Sequence, residues 1–241
     1  METYREFLAR IGSFQPKRPQ YGDKYFEGSP SIPLKVGPDN TFRPFYGDTV
    51  VFPLDDGVKA RLDDYVGALY RSAPECFCQR LGPGTFHMTL HDLSSAPALG
   101  DVAEELFDNE LKVVDALHRL QKCDKAPIKM KSTAIFNMVD TSLVLGLYPT
   151  DEDGYRRLME LYAIFDAVKG LGYPFTPHIT LAYYNVNGFS QSSARNLEGV
   201  VSRLNGTGLE LELSAARLFY QKFRSMNDYI DIIHLGHQIH P

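Results

Sequence analysis

Two short stretches decide how this chain is read: Phe86, His87, Met88, Thr89, Leu90 and Pro177, His178, Ile179, Thr180, Leu181. Each is His, any residue, Thr, Leu. In an extended strand successive side chains alternate faces, so His87 and Thr89 point one way while Phe86, Met88 and Leu90 point into a core. His178 and Thr180 repeat that geometry. An imidazole and a hydroxyl two residues apart are roughly 7 Å apart at the backbone, near enough for both to lean onto one tetrahedral phosphate. Two such strands facing each other would hold it from both sides.

Chance does not explain the pair. With 11 Thr and 27 Leu among 241 residues, two of the seven His would be followed by x-Thr-Leu by accident in roughly one chain in two thousand. A single copy would be better read as a hydrogen-bonded His at a sheet edge.

Around the motifs an order of elements occurs twice. Thr49 to Phe52 is a β-branched run ending at Pro53, and Asp55, Asp56 and Gly57 open a helix striped by Val58, Leu62, Tyr65, Val66 and Leu69. Gly82, Pro83 and Gly84 turn the chain into the first motif strand, followed by a helix from about Asp101 to Gln121 and a strand from Ile128 to Val139. The order then restarts. Leu143 to Tyr148 ends at Pro149, Asp151, Asp153 and Gly154 open a helix striped by Leu158, Leu161, Tyr162, Phe165 and Val168, and the second motif strand follows. A helix near Ser192 to Leu204 precedes an alternating strand from Leu209 toward Phe219, and Tyr229 to His234 is the last strand.

An order repeated with the same motif in each copy predicts an α+β fold, duplicated and bilobal, with two antiparallel sheets flanked by helices around a central cleft. The lobe halves are expected at 48–140 and 141–241. If both motif strands run on with unbroken alternation, His91, Ala182 and Tyr184 also face the cleft, although core or edge packing suits His91 at least as well. Residues 1–47, punctuated by Pro16, Pro19, Pro30, Pro33, Pro38 and Pro44, are expected to be mostly loop. Tyr21, Tyr25, Phe26, Phe42, Phe45 and Tyr46 make this extension too apolar for a disordered tail, so it packs on the body; as a wall of the site it would offer an aromatic such as Phe45 or Tyr46 to a base.

Composition narrows the partners. A net charge of −5 and a pI near 5.8 argue against a long duplex, whose binding draws on many Lys and Arg, so a phosphate ligand should be small or presented as an end. No run of eighteen apolar residues and no basic-then-apolar start are present, from which we expect no membrane partner and a cytoplasmic location. Cys76, Cys78 and Cys123 form no even disulfide set and lack zinc-site spacing. His234, His237 and His240 read as a solvated tail, and His118 as a surface residue. No metal and no cofactor are expected, and the chain is taken as a monomer.

Histidine, with an unperturbed pKa of about 6.5, serves as acid or base near neutral pH, and two opposed His can divide those roles at a phosphodiester. The sequence has no His-Glu-x-x-His and no Gly-rich phosphate loop. A doubled His-x-Thr-Leu in a duplicated α+β chain resembles the 2H phosphoesterase superfamily over roughly residues 48 to 235. The resemblance implies a bilobal fold, His87 and His178 as acid and base, Thr89 and Thr180 as phosphate holders, and a small cyclic phosphodiester of a nucleotide, nucleotide derivative or RNA end as substrate. The other reading is a binding module that holds a nucleotide phosphate in the same cleft and turns nothing over.

Overall fold

A computed structural model describes residues 2–14 and 25–236, the Tyr25 side chain excepted; Tyr21, His237 and His240 lie outside them. In chain order the elements are α1 (Tyr4–Gly12), β1 (Tyr25–Phe26), α2 (Ile32–Lys35), β2 (Tyr46–Pro53), α3 (Asp56–Ser72), β3 (His87–Ala96), α4 (Ala103–Leu120), β4 (Ile128–Met138), β5 (Ser142–Pro149), α5 (Glu152–Asp166), β6 (His178–Tyr183), β7 (Phe189–Ser190), α6 (Gln191–Asn205), β8 (Glu210–Leu213), β9 (Phe219–Ser225) and β10 (Asp228–His234). Two four-stranded antiparallel sheets, ordered β10-β9-β2-β3 and β6-β5-β4-β8, make the fold α+β and bilobal.

The sheets do not divide the chain at residue 140. β4 pairs with β5 in the second sheet, and β9 and β10 return to complete the first. The cause is local: only Val139, Asp140 and Thr141 separate β4 from β5, with Thr141 N–H donating to the Met138 carbonyl at 3.0 Å, and strands joined by so short a turn pair as a hairpin. The pseudo-symmetry survives the exchange. Each sheet carries its motif strand at one edge, beside the strand that precedes it in the chain, and the helices pair correspondingly as α3 with α6 and α4 with α5.

The extension carries a helix beside its loops: Thr3 and Glu6 close a capping box on α1, which packs Phe7 and Tyr4 on Tyr155. Two sequence expectations change. The strand from Leu209 stops at Leu213, since Ala215–Arg217 forms a 3-10 turn and Phe219 enters the other sheet. His234 is no tail residue: its ring stacks on Phe219 and hydrogen-bonds the Ala216 carbonyl at 3.1 Å. Phe26, Ile32, Val36 and Phe45 of the extension are buried in the core that both sheets share.

The β4–β5 turn is strained. Val139 and Asp140 have φ of 46° and 56°, the signature of a type I′ turn, and a β-branched residue is the poorest choice for its first position. Val139 is 74% exposed, so packing does not compensate. Val139→Asn is expected to raise unfolding free energy by about 1 kcal/mol in urea titration; an unchanged midpoint would show that the turn relaxes without cost.

Candidate active site

The motif strands β3 and β6 lie against each other at the edges of the two sheets. Between them opens a cavity of about 780 Å³, and His87, Thr89, His178 and Thr180 all line it. Met88, Ile179 and Leu181 point the other way, as the alternation requires, and with Leu90, which borders the cavity, are fully buried.

Both strands break that alternation at the same place. Thr89 pairs with Val51 and His91 with Val50; Thr180 pairs with Val144 and Ala182 with Leu143. Each motif leucine, Leu90 and Leu181, is therefore the extra residue of a β-bulge, and the side chains beyond it change faces. Tyr184 accordingly does not reach the cavity but stands fully buried among Phe26, Phe77 and Phe189, and Ala182 is buried as well. His91 borders the cavity yet is 1% exposed, its ring tilted on Tyr162 and its Nδ1 donating to the Asp92 carbonyl at 2.5 Å. The residues that face the cleft instead are Asp92 and Tyr183, equivalent to one another by the repeat.

The strand beyond the first bulge is held by a buried carboxylate. Gly47 pairs with Ser95 and Thr49 with Asp92, so the Ser94 N–H has no ladder partner. It donates to Asp48 Oδ1 at 2.8 Å, while Tyr220 and Asn109 donate to the same carboxylate at 2.9 and 3.1 Å. Burial raises the Asp48 pKa against these hydrogen bonds. Nothing in the local sequence marks Asp48 for this part, since its partners come from β3, α4 and β9.

His178 is oriented by a main-chain carbonyl just ahead of it. His178 Nδ1–H donates to the Thr176 carbonyl at 2.7 Å, which leaves Nε2 free to face the cleft. The Thr85 carbonyl favours the protonated form of the His87 ring, which meets the edge of Tyr229 at 5.0 Å. Burial pushes the His87 pKa down to about 4 and lowers that of His178; the Asp92 carboxylate and these carbonyls oppose the shift in both. The turn that presents His178 is itself braced from α1, where Arg10 donates to the Phe175 carbonyl at 2.9 Å and to Thr176 Oγ1 at 3.1 Å.

Of the two aromatics expected from the extension, Phe45 lines the cavity and stacks on Phe223, whereas Tyr46 pairs with Ala96 at the far end of β2 and does not. The extension also contributes Lys35, a residue with no sequence signal. Among the described residues no group of three or more His, Cys, Asp or Glu side chains is placed to hold a metal ion, and no helix is long and apolar enough to cross a membrane.

No protein-family model and no curated protein sequence matches the chain. Among solved structures it is similar to ATU0111, a conserved protein of unknown function from Agrobacterium tumefaciens, at a TM-score of 0.65 and 14% identity, over 88% of this chain and 94% of that one. The two chains share a fold. TT0787 of Thermus thermophilus (19% identity, TM-score 0.49) and Escherichia coli LigT (14% identity, TM-score 0.45) superpose less closely, each over 78% of this chain and 95% of its own. LigT has been solved with 3′-AMP, phosphate, NADP+ and ATP. The bilobal architecture agrees with the 2H phosphoesterase resemblance of the two motifs.

Proposed function

We propose that the chain is a 2H-type phosphodiesterase that hydrolyses a cyclic phosphodiester of a nucleotide, nucleotide derivative or RNA end. The observation that carries this reading is the pair of His-x-Thr segments on two abutting edge strands, bulged at the same residue and lining one cavity. An accidental motif has no reason to recur with its bulge.

In the reaction, the oxygen of a water molecule bonds to phosphorus and the P–O bond to one ribose oxygen breaks. A neutral imidazole takes the proton of the attacking water. The opposing imidazolium gives its proton to the departing ribose oxygen, so the ring opens to a phosphomonoester and the two His exchange protonation states. The Thr176 carbonyl keeps the His178 ring turned for this work, and the edge of Tyr229 packs on that of His87. Proton transfer by each is worth typically ~10²–10⁴ in rate. The hydroxyls of Thr89 and Thr180 donate to the non-bridging oxygens, where negative charge must be accommodated.

The test is incubation with a panel of 2′,3′-cyclic nucleotides, ADP-ribose 1″,2″-cyclic phosphate and short RNAs ending in cyclic phosphate. Turnover of at least one is expected, and because His and Thr side chains supply acid, base and anion contacts, the rate should be unchanged in EDTA. Activity lost on chelation and restored by a divalent ion would overturn the mechanism; tight binding of nucleotide phosphates without turnover would make the protein a binding module.

A further inference from the structure

Lys35 ends α2, where its own carbonyl accepts the Arg43 N–H at 3.0 Å and a Val36–Phe42 bridge follows. This turn carries the side chain into the cavity of the two motifs. Its Nζ stands 5.1 Å from the ring centre of Phe45 and 5.6 Å from that of Tyr183. Among the described residues it has no carboxylate within 4.0 Å and no hydrogen-bond acceptor, although an ammonium carries three donors. Among the described residues it is the one Lys or Arg of the cavity wall.

Such a site is short of a partner. Ring faces return to a cation only part of what withdrawing an ammonium from water costs. The two carboxylates that the described residues bring to the cavity do not fill the gap. Asp48 is occupied by Ser94, Asn109 and Tyr220, and Asp92 acts on Lys35 only from beyond ion-pair distance, holding up a pKa that burial lowers. An anion arriving with the substrate would complete it. Tyr183, under the ammonium, is three residues past Thr180 on a bulged strand, at most about 10 Å from it, which leaves room for one sugar between the two points.

We propose that Lys35 is the subsite for a second phosphate of the substrate, carried on the 5′-oxygen of the ribose whose cyclic phosphate is held by the two motifs. This rests on the phosphodiesterase reading. A 5′-phosphorylated nucleotide and the last nucleotide of an RNA both present that group, the first as a monoester and the second as a diester.

Binding tests the subsite apart from catalysis. By calorimetry, adenosine 3′,5′-bisphosphate should bind the wild-type protein at least about tenfold more tightly than adenosine 3′-monophosphate. Lys35→Met should bring the ratio to about one, and Lys35→Arg should keep it, with thermal unfolding reporting that each variant is folded. A wild-type ratio near one, or a ratio that survives in folded Lys35→Met, overturns the inference. Turnover then separates the sources: kcat/KM is compared for a 2′,3′-cyclic nucleotide bearing a 5′-hydroxyl, a 5′-phosphate or a 5′-linked second nucleotide. Preference for the monoester supports a nucleotide derivative, preference for the diester supports an RNA end, and equal values across all three overturn the subsite while sparing the phosphodiesterase. No turnover together with an intact bisphosphate preference does the opposite.

Discussion

His87→Ala and His178→Ala are each expected to lower kcat/KM for the best cyclic phosphodiester by about 10²-fold or more, while affinity for a nucleoside monophosphate changes far less. Both rings line the cavity beside a threonine, so the alanine variants remove a proton carrier without removing the hydroxyls proposed to hold phosphate. The double variant should be little worse than either single one, because residues that act in one step are not additive. His118→Ala, on the exposed face of α4, is the control and should behave as wild type. Thr89→Ala and Thr180→Ala should raise KM as well as lower kcat, since their hydroxyls serve ground and transition states alike. The decisive comparison is turnover and monophosphate affinity on the same proteins. Single variants that keep wild-type kcat/KM would remove the two His from the chemistry.

The second large effect is on pH. The free protein must hold one ring neutral and the other protonated, and burial lowers both pKa values, that of His87 to about 4 and that of His178 below 6.5. kcat/KM should therefore peak on the acid side of 6.5. Above that pH the proton donor is lost and the value should fall about tenfold per unit, roughly 10²-fold by pH 8.5. The bound phosphate is an anion that favours protonated imidazole, so kcat should peak at higher pH than kcat/KM. Asp92→Asn removes a negative charge that supports both protonated forms and should move the alkaline limb of kcat/KM to lower pH. Stability has the opposite slope. An unfolded His takes up a proton near 6.5 and the folded His87 only near 4, so the folded state binds fewer protons in that window, and the melting temperature should fall as pH drops from 6.5 toward 4. A kcat/KM profile that is flat from pH 6 to 9 would show that neither ring titrates as the chemistry requires.

The architecture of strands and helices was legible because it rests on local periodicity. Alternation at His87–Leu90 and His178–Leu181, the stripe of Leu62, Tyr65, Val66 and Leu69, and the matched openings at Asp55 and Asp151 each follow from neighbours within a few residues, and each element formed where it was expected. The repeat implied two equivalent antiparallel sheets by the same logic, while the edge position of each motif strand came from the pairing. What lay within a few residues but went unread was the Thr3–Glu6 capping box of α1, hidden by the density of Pro and Gly after it.

The exchange of β4 and of the β9–β10 hairpin between sheets, the two bulges, and the arrival of Lys35 and Asp92 in the cavity belong to the tertiary structure. A bulge depends on the partner strand's register, and one extra residue reverses every face beyond it, which is why His91 and Tyr184 turned inward while Asp92 and Tyr183 turned to the cleft. Lys35 and Tyr183 are far apart in the chain and meet only because the extension packs across both sheets. By itself the sequence determined the two histidines and two threonines as a matched set, since strand alternation is a property of the backbone; which charged groups surround them was decided by long-range pairing, which no local pattern encodes.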